Sequence, residues 1–347
     1  MKKKIDSFTG LRFICAMIVI LVHIYLVYVN ECVAMGWTSN VFTHGEWVLA
    51  VFLILSGFLV CMHHEDKFDD SSTNVLKEGI QFAVKHAKKW YVLYLICMVP
   101  ALLLLILKLI FDFSIKKLLS LIVQVIMNVL LIQSWIPGYD YSINGTSWYL
   151  STITAIYILT PLLLRINSKI KKNKIYSVIG LIICVLMIYI IGDKYDVLYH
   201  HPFFRIFGFV EGILLFNLIG DRKNLKHEKI ALAVVLIINF IAYMLIIPSA
   251  FAMIDNIVVM MLVAVLYLGN DKTIFSTKWM VYGGRKSLET FLMHYPIVVY
   301  GGVIIRTLLP KTNAFYIAEM LFLVVLVFVA VEIYEYIWRR IKGGKHE

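Results

Sequence analysis

The chain has 347 residues, of which 61% are hydrophobic and 16% charged, and its mean hydropathy is +0.83. Soluble domains are about 45–50% apolar and about 25% charged, so this composition excludes an ordinary soluble protein. A membrane helix needs about 20 residues, and ten such helices would use roughly 200 residues and leave only short loops. A sizeable water-soluble catalytic domain is therefore excluded, and any chemistry must lie among the helices.

Eleven apolar segments follow one another along the chain, with no internal repeat between them. Their approximate bounds are 11–29, 47–62, 91–111, 118–135, 148–166, 175–192, 204–219, 229–247, 250–269, 287–309 and 315–338. Such runs predict an all-α, polytopic membrane protein with a single domain over residues 1–347. Residues 1–4 resemble the start of a signal peptide, but no small-residue cleavage site follows, so we expect a retained first helix.

The net charge of +11 is concentrated in six clusters between the apolar segments, which hold 26 of the 33 Lys and Arg residues. The clusters are Lys2, Lys3, Lys4 and Arg12; Lys67, Lys77, Lys85, Lys88 and Lys89; Arg165, Lys169, Lys171, Lys172 and Lys174; Arg222, Lys223, Lys226 and Lys229; Lys272, Lys278, Arg285 and Lys286; and Arg339, Arg340, Lys342 and Lys345. This pattern is typical of cytoplasmic loops and not of a nucleic-acid surface. We expect both termini in the cytoplasm.

The charge clusters also limit the number of spans. Three apolar segments lie between the second cluster and the third, but a return to the cytoplasm requires an even number of crossings. We expect segment 118–135 not to span, because it carries Gln124, Asn128 and Gln133 at roughly helical spacing. A partial or re-entrant helix is tolerated where protein buries it. The prediction is therefore ten transmembrane helices and one partial helix.

Arg12 and His23 lie in the first apolar segment, where ionisable groups are costly and indicate function. Eleven residues separate them, which is about 16.5 Å and roughly 20° more than three full turns of helix. Both side chains therefore project from one face, with the cation near the inner surface and the imidazole deep in the membrane. An interfacial arginine and a structural histidine are the alternative.

Further polar residues interrupt other segments. His294 precedes Pro296, which frees a backbone carbonyl, and Ser56 lies in a Ser-Gly step that is also typical of close helix packing. Arg205 and Glu211 are six residues apart, on different faces of one helix, so we expect each to find a partner elsewhere. The next two residue sets each have two interpretations, and the cysteines have one. Trp148 and Tyr149 fit either an aromatic belt at the membrane surface or a sugar-binding site. Lys85, Lys88 and Lys89 fit either lipid headgroups or a nucleotide phosphate as partners. The five cysteines have no metal-binding spacing and are predicted to be buried hydrophobic residues.

The arrangement resembles the acyltransferase-3 family of integral membrane acyltransferases. Six motifs in chain order carry the resemblance: Arg12-x10-His23; Val51–Val60 with Ser56-Gly57-Phe58; Lys88–Tyr94; Ser147–Leu150 with Tyr157 and Pro161; Arg205–Gly212; and Gly284–Leu292 with His294 and Pro296. The chain departs from the family at a frequent Arg-x2-Arg, where its nearest matches are His86-Ala87-Lys88-Lys89 or Lys85 to Lys88. It departs again where Thr152–Thr154 stand in place of a frequent Glu. A lysine holds phosphate as a point charge without the bidentate fork of arginine.

The resemblance implies transfer of an acyl group from a cytoplasmic acyl-CoA to a hydroxyl of an extracytoplasmic glycan or glycolipid. We expect the acyl group to be acetyl and the donor to be acetyl-CoA. Under this hypothesis His23 is the general base or a transient acyl carrier, and His294 or Ser56 orients it or donates to the oxyanion. The donor phosphates are assigned to Arg12, Lys85, Lys88 and Lys89, and the acceptor to Trp148, Tyr149, Arg205 and Glu211. We expect no metal and no permanently bound cofactor, and we expect the plasma membrane as the location.

Two other functions remain open from the sequence. The buried charges also suit a transporter or flippase of a cell-envelope sugar or lipid-linked intermediate, although no internal repeat of the kind many transporters carry is present. The second alternative is a catalytically silent relative that serves as a membrane partner or sensor. Dependence on acetyl-CoA separates the enzyme from both.

Overall fold

The computed structural model describes residues 4–28, 45–65, 68, 74–192, 198–221, 225–244, 251–302, 304–305, 312–341 and 343. The regular elements in these ranges are all helical, which confirms the predicted all-α class. The α-helices are α1 Asp6–Tyr28, α2 Gly45–His64, α3 Val75–Ala87, α4 Tyr91–Phe111, α5 Ile115–Val129, α6 Trp148–Ile170, α7 Lys174–Gly192, α8 Pro202–Ile219, α9 Glu228–Met244, α10 Phe251–Leu268, α11 Lys278–Arg285, α12 Ser287–Tyr295 and α13 Asn313–Ile341. A π-helical segment, Pro296–Gly301, continues α12.

Seven of the described helices are long and apolar enough to cross a membrane: α1, α2, α4, α6, α7, α8 and α13. The chain is therefore a multi-pass membrane protein. The other three predicted spans correspond to α9, α10 and the segment formed by α12 with its π-helical continuation. Segment 118–135 contains α5, which has only 15 residues, about 22 Å of helix and less than the bilayer core.

Helices α4 and α5 form an antiparallel hairpin. The hydroxyl of Tyr91, at the start of α4, donates to the backbone carbonyl of Val129 at 2.7 Å. The hydroxyl of Tyr94 donates to the backbone carbonyl of Asn128 at 3.0 Å. The start of α4 is thus bound to the end of α5. The side-chain amide of Asn128 is buried and donates to the carbonyl of Gln124 at 2.9 Å and to the hydroxyl of Ser142 at 2.8 Å, so it faces protein and not lipid.

The bundle has two ends, which we name by their residues. At the basic end, α2 and α6 both finish, and Lys171 pairs with Glu65 at 3.3 Å. At the aromatic end, α2 and α8 both begin, and Arg205 pairs with Glu46 at 2.8 Å. The amino-terminal end of α1 is fixed by Asp271, whose carboxylate accepts from the backbone N–H of Ser7 at 2.7 Å. His23 therefore lies toward the aromatic end, and Arg12 lies toward the basic end.

Close packing of α2 on α8 depends on two glycines. A Cβ added at Gly57 would collide with the carbonyl of Phe209, and one added at Gly212 would collide with the carbonyl of Ile54. The backbones approach so closely that each glycine excludes any side chain from the contact. Gly57 thus has the close-packing role that the Ser56-Gly57 step is typical of.

We expect Gly57→Ala to lower the free energy of unfolding by about 1–3 kcal/mol, because the added methyl group must displace backbone atoms. Gly301→Ala is the matched control, since a Cβ there meets nothing within 4 Å, and its effect is expected to be below ~0.5 kcal/mol. Thermal unfolding of the two purified variants in detergent compares them. Equal midpoints would contradict the close contact.

Candidate active site

A cavity of about 410 Å³ opens at the aromatic end, between α1, α2, α6 and α12. Its polar and aromatic wall residues include His23, Phe52, Tyr149, His200, Phe291 and Tyr295. Pockets that hold small molecules are mostly apolar, with a few placed polar groups that fix orientation. This cavity has that character, and its imidazoles are the groups able to exchange protons.

The imidazole of His23 is held in one tautomer. Its Nδ1 lies 2.8 Å from the carbonyl of Val19, and a carbonyl can only accept, so Nδ1 carries the hydrogen. Nε2 therefore keeps its lone pair in the neutral ring. Because His23 lines the cavity and retains accessible surface, this arrangement is that of a proton acceptor or nucleophile.

His294 lies directly beside His23, with ring centroids 4.9 Å apart. Its side chain is completely buried. Its Nδ1 donates to the carbonyl of Phe291 at 2.6 Å, and its Nε2 has no hydrogen-bond partner within the described ranges. A protonated His23 would place a positive charge next to this unpaired lone pair. The two rings are thus close enough for a charge on His23 to act on His294.

Arg12 forms a second group below the cavity, toward the basic end. Its guanidinium interacts electrostatically with the hydroxyls of Tyr149 and Tyr157, and the hydroxyl of Ser56 lies beside both tyrosines. Tyr149 also lines the cavity, so it joins the surroundings of Arg12 to those of His23. The structure therefore brings together four residues that the sequence singled out: Arg12, His23, Ser56 and Tyr149.

The basic residues around the α3–α4 junction continue this path. Lys85, Lys88 and Lys89 are exposed, and the ring of His86 lies 4.8 Å from the ring of Tyr157. Burial lowers the pKa of His86, and the charges of Lys89 and Lys85 lower it further. Neutral His86 thus lies between the exposed lysines and the tyrosine that neighbours Arg12.

Arg205 and Glu211 do not meet, as their spacing predicted. Arg205 binds the carboxylate of Glu46 through two nitrogens, at 2.8 and 3.1 Å, and stands behind the cavity wall. Glu211 is fully buried between α8 and α10, where it accepts from Asn256 at 2.6 Å. The structure places Glu211 outside the set of cavity-lining residues, so its assignment to the acceptor stays an untested prediction.

We expect Glu46→Gln to destabilise the protein by about 3–5 kcal/mol, because it leaves the guanidinium of Arg205 buried without its carboxylate. The exposed pair of Lys117 and Asp112 is the comparison, and Asp112→Asn is expected to cost less than about 1 kcal/mol. Thermal unfolding in detergent measures both. A smaller effect for Glu46→Gln than for Asp112→Asn would show that the buried pair does not brace the cavity.

Several wall residues were not identified from the sequence. Tyr141, Tyr199 and His200 line the cavity, and Asp140 contacts His200. They come from the segments 136–147 and 193–203, which lie between apolar segments and hold none of the six basic clusters. Their signal was the density of aromatic and polar residues in loops nearly free of Lys and Arg. The short 3₁₀ helix Gly145–Ser147, which leads directly into α6, is braced by Gln133, whose side-chain amide donates to the carbonyl of Ser147 at 3.2 Å.

The described residues form neither a metal-ligand cluster nor a disulfide. Within the described part of the chain, no group of three or more His, Cys, Asp or Glu residues could hold a metal ion. The described cysteines, Cys15, Cys61, Cys97 and Cys184, are all buried and outside any disulfide, whereas Cys32 lies outside the described residues.

The chain matches a known protein family. A family model described as an acyltransferase domain matches residues 5–333, nearly the whole chain. No curated protein and no solved structure matches the chain. The matched range includes both histidines, Arg12 and every cavity-lining residue.

Proposed function

The chain belongs to the acyltransferase domain family, and we propose that it moves an acetyl group from acetyl-CoA to a hydroxyl of a cell-surface glycan or glycolipid. Membership confirms the resemblance carried by the six motifs and makes the protein a membrane acyltransferase of the non-aminoacyl, O-acyltransferase-like type. The observation that supports the finer proposal is the free Nε2 of His23 in a cavity walled by aromatic rings.

The acceptor is assigned to the aromatic end. Trp148, Tyr149 and Tyr199 line the cavity there, and flat rings pack against the apolar faces of a sugar while its hydroxyls need polar partners. In this pose a sugar hydroxyl reaches His23. His23 then either removes the hydroxyl proton during attack on the thioester or receives the acetyl group first.

The donor is assigned to the basic end. Coenzyme A carries several phosphates, for which the exposed Lys85, Lys88 and Lys89 are suitable point charges. Arg12 lies deeper, beside Tyr149 and Tyr157, where a cation and two hydroxyls suit the polar arm of the donor. The thioester would then meet the acceptor near His23, at the level of Tyr149.

His294 and Ser56 receive different roles in this scheme. Because the Nδ1 of His294 already donates to a carbonyl, its Nε2 is an acceptor in the neutral ring. His294 then orients His23 or stabilises the positive charge on its protonated ring. Ser56 and its tyrosine neighbours are hydroxyl donors, which suit the negative charge that develops on the thioester oxygen. The first histidine is thus the proposed catalytic base and the second its positioning residue.

The proposed orientation follows the charge clusters. The basic end would face the cytoplasm, where acetyl-CoA is made, and the aromatic end would face the outside of the plasma membrane. Both termini would then be cytoplasmic. Cysteine accessibility in intact cells tests this: a cysteine introduced at Tyr141 is expected to react with an impermeant reagent, and one introduced at Lys88 is not.

The deciding experiment uses the purified protein in liposomes with radiolabelled acetyl-CoA. We expect label to appear in an added glycan acceptor, with release of free CoA, and acyl-CoA donors of increasing chain length define the donor range. Mass spectrometry of cell-surface glycans identifies the acceptor. Glycan movement across the liposome membrane without consumption of acetyl-CoA would overturn the proposal in favour of a transporter.

A further inference from the structure

A second histidine in the cavity wall has the geometry of an oriented hydrogen-bond acceptor. The Nδ1 of His200 lies 2.5 Å from the carboxylate of Asp140, so Nδ1 carries the hydrogen and Nε2 keeps the lone pair. This Nε2 is buried and has no hydrogen-bond partner among the residues that the structure describes. A histidine with only a structural role would be expected to satisfy both nitrogens.

The backbone on both sides of this imidazole is fixed. The hydroxyl of Thr152 donates to the carbonyl of His200 at 2.7 Å, and Arg205 donates to the carbonyl of Tyr199 at 2.7 Å. Arg205 is itself held by Glu46. The direction of the free nitrogen is therefore set before any ligand binds, which lowers the entropic cost of binding.

The surroundings of His200 favour a neutral, ring-shaped ligand. Its ring centroid lies 4.4 Å from that of Trp148, 4.5 Å from that of Tyr141 and 4.6 Å from that of Tyr199. Burial lowers the pKa of His200 to about 4, against the raising effect of Asp140. At neutral pH the imidazole thus offers a lone pair and no positive charge, which disfavours an anionic ligand and suits a hydroxyl.

We propose that His200 and Asp140 form a hydroxyl-binding subsite, in which Nε2 accepts a hydrogen bond from one ring hydroxyl of a sugar. This hydroxyl differs from the one presented to His23, so the subsite determines which sugar binds and which hydroxyl is acetylated. The inference rests on the proposed function only in placing the acceptor sugar in this cavity. His200 is then a specificity residue and does not take part in the transfer step.

The test compares sugar binding by the wild-type protein and His200→Phe in nanodiscs, by titration calorimetry. The probes are the methyl glycosides of glucose, galactose and N-acetylglucosamine, together with their monodeoxy analogues. In the wild type, loss of the one bound hydroxyl is expected to weaken binding about 5–10-fold, the value of a typical hydrogen bond. His200→Phe is expected to bind the parent sugar about 5–10-fold more weakly than the wild type does. In this variant the affinity for the same deoxy analogue is expected to equal that for the parent sugar.

Two further variants separate this effect from misfolding. His200→Gln restores an acceptor near the position of Nε2 and is expected to recover part of the discrimination. His201→Asn is the neighbouring control, because His201 accepts from the backbone of Phe203 at 3.1 Å and asparagine is a good helix cap. The control is expected to bind all probes like the wild type.

The outcomes distinguish the subsite from the proposed function. If His200→Phe discriminates the deoxy analogues as well as the wild type does, or if the wild type binds none of the glycosides, the subsite is refuted. Acetyl transfer in liposomes is measured separately on the same preparations. Sugar selectivity that depends on His200 without acetyl transfer would leave the subsite intact and refute the proposed function.

Discussion

Replacing His23 with alanine is expected to lower the rate of acyl transfer by about 10²–10⁴-fold, the usual contribution of general acid–base assistance. The reason is the free Nε2 of His23 in the cavity wall, with the second imidazole of His294 at 4.9 Å between ring centroids. No other imidazole among the described residues has this pair of features. Initial rates in liposomes at saturating acetyl-CoA, normalised to protein amount, measure the loss.

His63→Ala is the matched control. The Nδ1 of His63 lies 2.7 Å from the carbonyl of Leu59, four residues earlier, which is the same local hydrogen bond that His23 makes with Val19. His63 is exposed at the end of α2 and lies outside the cavity. Its replacement is expected to leave the rate unchanged, and full activity of His23→Ala at normal protein level would exclude the catalytic assignment.

A second measurement decides between the two roles of His23. If His23 carries the acetyl group, wild-type protein incubated with labelled acetyl-CoA and no acceptor is expected to retain label after rapid quenching at neutral pH, and His23→Ala is not. If His23 is only a base, neither protein retains label, because transfer then requires the acceptor hydroxyl.

Arg12→Gln is expected to raise the KM for acetyl-CoA by about 10–100-fold, the value of a charge-assisted hydrogen bond in a buried setting. Arg12 is partly buried near Tyr149 and Tyr157, so water screens it less than it screens the exposed Lys85 and Lys88. Single substitutions of those lysines are expected to raise KM only a few-fold. Steady-state kinetics over a range of acetyl-CoA concentrations give the values.

Arg285→Gln provides the comparison for Arg12→Gln. Arg285 is exposed at the end of α11, outside the path from α3 to the cavity, and its loss is expected to change neither KM nor kcat. A kcat loss in Arg12→Gln with unchanged KM would move Arg12 from donor binding to the transfer step. An Arg12→Gln variant with wild-type kinetics would contradict both assignments.

The fold class followed from composition and run length because a membrane imposes both on every span. The one-face placement of Arg12 and His23 likewise followed from helical geometry, and α1 is a continuous helix from Asp6 to Tyr28. Arg205 shows the limit of this reasoning. Its separation from Glu211 was predictable from helical spacing, but its partner Glu46 lies 159 positions away, and no local pattern specifies such a pairing.

By itself the sequence determined a multi-pass helical acyltransferase, since apolar runs, charge clusters and ordered motifs are all local properties of the chain. Only the tertiary structure decided which polar groups meet. It placed His294 beside His23, Tyr149 between His23 and Arg12, and Asp140 against His200 in the cavity wall, while it left Glu211 elsewhere. The physical reason is that helical periodicity fixes the direction of a side chain on its own helix. The neighbour it meets depends on how separate helices pack. That packing is determined by close-contact glycines such as Gly57 and Gly212 and by long-range pairs such as Arg205 with Glu46.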